Sequence, residues 1–331
     1  LKLIWLRKNA PKSLDGAYTW LMMPGLLVHK LTGEYHIEPT SASTMMAMDL
    51  ERRNWSESLL ELAGLDSSFF PEWSEPGQIV GYVKEEAEKR CGIPQNVPVV
   101  VGGHDTQFAL VGSGAEPSEV ILSSGTWEIL SVRTDSFRPN RVGFEEGLVI
   151  EADVQPGLWN PQLLMIGSAV LEWVREKFFA ELSTSEYATM IKEAGEVLPG
   201  ADGVTVIPSF VRDSGPTRKF GILGTVLGLS LQTTRGHVCR ATLEGLSSQL
   251  REALRILTEA TGLDPKGIRV VGGGSKNDLW NQIRADVANL SIAVTAQKEA
   301  TALGAALTAF AGIGRYAALG EAQKNACLKE R

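Results

Sequence analysis

The order of hydrophobic periods from Glu119 to Gly314 constrains this chain more than any other feature. The stretch "EVILSSGTWEILSVRT" holds two β-rich runs joined by Ser123-Ser124-Gly125-Thr126, a hairpin signature with an unusual turn. Two amphipathic helices follow, "SAVLEWVREKFFAEL" and "SEYATMIKEAGEVL", then the strand "GVTVIPSF". From Arg235 to Ala260, Leu243, Leu246, Leu250, Leu254 and Leu257 recur at steps of three and four, which makes one apolar helix face. The chain then reads strand ("GIRVVGGGS"), helix ("KNDLWNQIRADVANL"), strand ("SIAVTA") and helix ("ATALGAALTAFAGIG"). A hairpin followed by strand–helix–strand–helix fits a mixed sheet covered by helices, an α/β fold.

The part before Glu119 is more irregular. "GAYTWLMMPGLLVHKLTGEY" reads as a helix broken near Pro24-Gly25 and ending at Thr32-Gly33. Ser56 is the expected N-cap of a short helix that stops at Gly64, and Gly92 closes an exposed helix in "KEEAEKRCGIP". The unbroken valines of "VPVVVGG" predict a strand buried on both faces. At 331 residues the chain has room for about two domains.

Composition removes several function classes. The net charge of -7 offers no basic excess for a nucleic-acid partner. Arg7-Lys8 and the tail Lys329-Glu330-Arg331 read as solvated surface. No apolar run approaches the roughly 20 residues of a membrane helix, and the first residues lack a secretory signal pattern. Cys91, Cys239 and Cys327 are widely spaced, so disulfides and zinc sites are not expected and a reducing, cytoplasmic setting fits. His29, His36, His104 and His237 show no metal-ligand spacing.

Three glycine-bearing turns end or join expected strands: Gly102-Gly103-His104-Asp105, Ser123-Ser124-Gly125-Thr126 and Gly272-Gly273-Gly274-Ser275. Alone, each is most simply a tight turn. Together they are three places where bare backbone can approach an anionic ligand. The P-loop pattern is absent. Asn277 takes the third glycine position of GxGxxG, and no acidic residue follows at the spacing needed to hold a ribose, which argues against a Rossmann-type site. Asp105 has two readings. It is a natural helix N-cap, and it is also a carboxylate held rigidly enough at a strand end to act as a general base. His104 reads as structural, with a substrate contact as the alternative.

The stretches "GGHDTQFALVGSGA", "LSSGTWEIL", "TTRGHVCRATLEGLSSQL", "VVGGGSKNDLWNQIRADV" and "EATALGAALTAFAGIG" occur in that order. With them the chain resembles the FGGY carbohydrate kinases along essentially its whole length. It is most similar to the L-fuculokinases among them, and rhamnulokinases and xylulokinases share most of these features. The resemblance implies an actin-like ATPase (ribonuclease H-like) fold, with residues 1–105 as the remaining part of a sugar-binding domain and 106–331 as a nucleotide-binding domain. It implies ATP-dependent phosphorylation of a ketose, L-fuculose to L-fuculose 1-phosphate. A related sugar kinase or a non-catalytic actin-fold protein is the alternative.

Under the same resemblance Asp105 falls on the catalytic base and, with His104, on the sugar site. Gly125 and Thr126 fall on the phosphate-binding hairpin, Gly224 on a turn near the nucleotide, and Gly273, Gly274 and Asn277 on the adenosine motif. Mg²⁺ would bridge the phosphates, with Asp105 reaching it through water. Sugar and ATP are the implied partners, and the resemblance leaves room for a homodimer. The family begins with a β-hairpin carrying an Asp-x-Gly-Thr-type phosphate loop that these residues lack. The first domain therefore reads as incomplete, and little or no kinase activity is expected from the 331 residues alone.

Overall fold

A computed structural model describes residues 1–115, 119–136, 138–181, 187–212, 215–216, 221–295 and 299–326. Cys327 and the tail lie outside the described residues. The chain forms two compact units, neither continuous in sequence. One takes the described parts of Leu1–Gly114, Glu151–Asn160 and Glu299–Leu328, and the other those of Ala115–Ile150 and Pro161–Lys298.

Most of a six-stranded mixed sheet falls in the later unit, and a mixed sheet is what the order of periods predicts. Its strands run Ser291–Val294, Gly267–Val271, Val120–Ser124, Trp127–Val132, Trp159–Ile166, Val149–Ala152. Val120–Ser124 and Trp127–Val132 are the expected hairpin, paired from Val120↔Val132 to Ser124↔Glu128. Gly267–Val271 pairs in parallel with Val120–Ser124 and with Ser291–Val294. Parallel neighbours need a crossover, and the helix Asp278–Ala288 supplies the one between Gly267–Val271 and Ser291–Val294.

The long helix spans Arg235–Thr261, close to its expected limits. Its leucine stripe serves two cores. Leu250, Leu254 and Leu257 pack with Val120, Leu122, Leu130, Ile268 and Val270 of the sheet. Leu243 and Leu246 pack with Val170, Leu171, Val174, Trp280 and Ile283 of neighbouring helices. Each fully buried leucine contributes roughly 1.5–3 kcal/mol of transfer free energy, so this stripe is a main anchor of the unit.

The earlier unit departs from expectation at two places. Pro24 does not break a helix. It stands in the first turn of the helix Met23–Thr32, where a missing N–H costs no hydrogen bond, and residues 17–22 are not helical. Nor is the valine strand buried on both faces. Pro98–Val100 pairs antiparallel with Ile79–Tyr82 in a two-stranded ribbon and is half-buried, and only Val101 beyond it is fully buried. A two-stranded ribbon has too little covering structure to close over both faces.

In the same unit the helices Asp105–Gly112 and Ala300–Gly312 touch backbone to backbone. A Cβ at Gly112 would overlap the Ala300 carbonyl, and one at Gly304 would overlap that of Phe108. Phe108, Val111 and Leu307 fill the rest of that interface.

Candidate functional site

Asp105 is the first residue of its helix, not the cap. His104 occupies the cap position and makes no side-chain capping bond. The Asp105 side chain is 80 % exposed, and its Oδ1 accepts only the neighbouring Thr106 N–H, at 2.8 Å, among the hydrogen bonds of the described residues. The N-cap reading of Asp105 therefore fails by one position: its carboxylate accepts a first-turn N–H, but from inside the helix, and His104 holds the cap.

Buried polar groups hold the Asp105 backbone from behind. The His104 N–H donates to Thr40 Oγ1 at 2.8 Å, and Thr40 Oγ1 donates to Glu38 Oε2 at 2.6 Å. Glu38 caps the helix Pro39–Ser43 by accepting the N–H groups of Thr40 and Ser41 at 2.7 and 2.8 Å. Gly103 lies against this pair so closely that a Cβ would strike Thr40 Oγ1. Burial pushes the Glu38 carboxyl above the ordinary value, against the pull of its hydrogen bonds.

The His104 ring lies between two carboxylates. Its Nδ1 is 3.3 Å from Glu151 Oε2, and its Nε2 is 3.4 Å from Asp105 Oδ1. Glu151 is held in turn by Gln107 Nε2 at 2.6 Å. Burial lowers the imidazole pKa, but Glu151, with smaller help from Asp105 and Glu38, outweighs it, and the net shift is upward. The imidazole thus stands within ion-pair distance of both the buried Glu151 carboxylate and the exposed one of Asp105.

The second candidate region belongs wholly to the later unit. A cavity of about 1130 Å³ is lined by Gly125, Thr126, Ser168, Trp173, Tyr187, Ile191, Gly273, Gly274 and Asn277, among others. That is large for a small-molecule site and has both apolar and polar walls. The turn carbonyls are already bonded to the start of the next helix. Gly125 O accepts Ser168 N and Oγ at 2.9 and 2.8 Å, and Thr126 O accepts Gly167 N at 3.0 Å. The N–H and hydroxyl of exposed Thr126 bond no other group among the described residues, so they remain available to an anionic ligand.

On the opposite wall the two glycines differ. A Cβ at Gly273 would meet nothing within 4 Å, so that backbone borders open space. One at Gly274 would overlap Ser124 Oγ. Asn277 caps the helix Asp278–Ala288, its Oδ1 accepting Trp280 N–H at 3.0 Å. Its Nδ2 is buried and has no partner among the described residues, a donor that a ligand could satisfy.

Behind this cavity lies a fully buried ion pair, Glu128–Arg284. Both groups also bond Ser124 Oγ, which donates to Glu128 Oε1 at 2.7 Å and accepts from Arg284 Nη2 at 2.7 Å. Arg284 Nη1 donates to Asn281 Oδ1 at 2.9 Å, and Asn281 Nδ2 donates to the Ser275 carbonyl at 2.7 Å. The guanidinium lies over the Trp280 ring, 3.6 Å from its centroid.

The structure thus brings Gly125, Thr126, Gly273, Gly274 and Asn277 to one cavity. Gly224 does not line it and lies against the Phe210 ring. Asp105 and His104 belong to the other compact unit. Sequence reasoning missed Glu38, Thr40, Glu151, Glu128 and Arg284. Two of them left a trace: Glu128 is a charge inside an apolar strand run, and Arg284 falls one turn after Trp280 on an otherwise apolar helix face.

Residues 1–112 match the N-terminal domain, and residues 120–313 the C-terminal domain, of the FGGY family of carbohydrate kinases. The chain is 38% identical over 315 residues to L-fuculokinase of Escherichia coli (strain K12), covering 95% of this chain and 65% of that protein. It is 30% identical over 334 residues to autoinducer-2 kinase of Salmonella paratyphi B, covering 97% and 62%. The crystal structure of xylulose kinase from Rhodospirillum rubrum matches with a TM-score of 0.86 at 26% identity, over 100% of this chain and 66% of that one. The chain therefore spans just under two thirds of the length of these relatives.

Proposed function

This chain belongs to the FGGY family of carbohydrate kinases, and on that premise we propose that it transfers the γ-phosphoryl group of ATP to a ketose, L-fuculose at its 1-hydroxyl. The observation that carries the base assignment is the exposed Asp105 carboxylate, which follows a backbone N–H anchored on buried Thr40 and itself accepts only the Thr106 N–H among the described residues. Asp105 takes the proton of the sugar hydroxyl as that oxygen attacks the γ-phosphorus, and ADP leaves with the bridging electron pair. Phosphoryl transfer asks a protein mainly for positioning and charge stabilisation, which rigid backbone donors supply.

In this reading the nucleotide occupies the cavity of the later unit. Thr126 offers its backbone N–H and hydroxyl to phosphate oxygens, while the Gly125 N–H is given to the Trp127 carbonyl within the turn. Gly273, with open space where a Cβ would stand, admits the adenosine, and the unpaired Asn277 amide donates to it. A single exposed carboxylate suits Mg²⁺, which keeps several waters and leans on phosphates and one or two carboxylates. Asp105 is the carboxylate that would hold it, through water. The ion's chemistry is to neutralise charge on the phosphates.

The 38% match to L-fuculokinase favours L-fuculose, and the 30% match to autoinducer-2 kinase makes that kinase's acceptor the first alternative. A cytoplasmic setting belongs to the same proposal. The test is ADP release with a panel of ketoses and autoinducer-2, for wild type and Asp105→Asn. It is run on these 331 residues and on a chain of the relatives' full length. L-fuculose is expected to be the best acceptor, and the shorter chain to turn over slowly. A variant with wild-type turnover removes Asp105 as base, and no phosphorylated acceptor in either chain removes the kinase reading.

A further inference from the structure

A buried ion pair seldom stabilises a fold. Desolvating two charges costs several kcal/mol each, and good geometry does little more than offset it. Here the offset is incomplete, since Glu128 Oε2 and Arg284 Nε are buried without partners among the described residues. Stability is thus a weak explanation for the pair, and its location offers a better one.

Glu128 stands opposite Ser124 in the hairpin register, and Ser124 immediately precedes Gly125-Thr126. Arg284 comes from a different element and reaches both Ser124 and Glu128. Its other arm runs through Asn281 to the Ser275 carbonyl, at the end of the glycine turn. Gly274 packs directly on Ser124 Oγ. Gly125-Thr126 follows Ser124 directly, whereas the Gly273–Ser275 turn keeps its own tie to Arg284 through Asn281. We infer that the Glu128–Arg284 pair is a positioning device for the phosphate turn, acting through Ser124 to set Gly125-Thr126.

This inference rests on the reading of the cavity as a nucleotide site, so its test separates the two. ADP and adenosine are titrated calorimetrically into wild type, Ser124→Ala and Glu128→Gln, with thermal melts alongside. Ser124→Ala keeps the ion pair and removes only its link to the turn, so it decides the matter if Glu128→Gln does not fold. The expected result is ADP binding about tenfold weaker in Ser124→Ala, or about 1.4 kcal/mol, with adenosine affinity within about twofold of wild type. A purely structural role would weaken both ligands together, or neither. Either of those outcomes overturns the positioning role while leaving the nucleotide site standing. A wild-type chain that binds neither ligand overturns the nucleotide reading and this inference with it.

Discussion

Around Asp105 the carboxylate is exposed, and the groups behind it include the buried carboxyls of Glu38 and Glu151. Around Gly125 and Gly273 the ligand wall is bare backbone, and the charge is hidden one layer behind it. One region presents a carboxylate, and the other presents mainly backbone, joined by the Thr126 hydroxyl and the Asn277 amide. In both, buried ionisable groups stand behind the presented atoms: Glu38 and Glu151 in one, Glu128 and Arg284 in the other. Proton transfer needs a specific carboxylate, whereas charge stabilisation needs only well-placed N–H groups, and the two regions divide along that line.

The sharpest way to break the comparison is Asp105→Asn. It removes the presented carboxylate, so turnover should fall about 10²–10⁴-fold with ADP affinity unchanged. A parallel loss of ADP binding, measured calorimetrically, would mean that the two regions are not separable in this way.

The glycine wall is tested by a matched pair. Gly274→Ala forces a Cβ onto Ser124 Oγ and should destabilise the unit by about 1–3 kcal/mol, seen as a lower denaturant midpoint. Gly273→Ala meets no protein atom and should leave that midpoint in place while weakening ADP binding. If both variants melt alike, Gly273 does not face a ligand space.

A smaller effect separates the regions by pH. The folded pKa of His104 is raised, so its stabilising contribution is complete below the unfolded value of about 6.5 and is lost as pH rises through the folded pKa. Glu38, also raised, acts with the same sign from lower pH. Urea midpoints should therefore fall from pH 6 to pH 8, and less so in Glu151→Gln. NMR titration should find the His104 pKa lower in that variant, and an unchanged value would remove Glu151 as its partner.

The smallest effect is chemical. Cys239 is buried and its thiol is pushed up to about 12, chiefly by that burial, whereas Cys91 is exposed. A thiol reagent should label Cys91 in the native protein and Cys239 only on unfolding. Fast native labelling at Cys239 would show that the core beneath the long helix opens.

The sheet and its helices were legible because their signals are local. The Ser-Ser-Gly-Thr turn, the leucine stripe and the closing strand–helix–strand–helix order each announce themselves within a few residues. Pro24 misled because proline marks a helix start as readily as a break, and only the position of the first turn distinguishes them. The half-burial of the valine strand depends on what covers it, which composition does not state. The supports of Asp105 were invisible for the same reason. Thr40 and Glu151 lie far from His104 in sequence, and nothing local in "HIEPTSAS" points to residue 104. Gly273 and Gly274 look identical in sequence, and only the neighbour of each shows that one borders empty space and the other borders Ser124.

The interlocked glycines of the helices Asp105–Gly112 and Ala300–Gly312 have a consequence for how the chain is made. The seat of the Asp105 helix is supplied by residues that leave the ribosome roughly 190 positions later. At 5–20 residues per second that is a wait of roughly 10–40 s. For that interval Phe108 and Val111 stand without the partner face that later buries them. The earlier unit is thus started first and finished last, and its unfinished apolar seam is where a nascent-chain chaperone would be expected to bind.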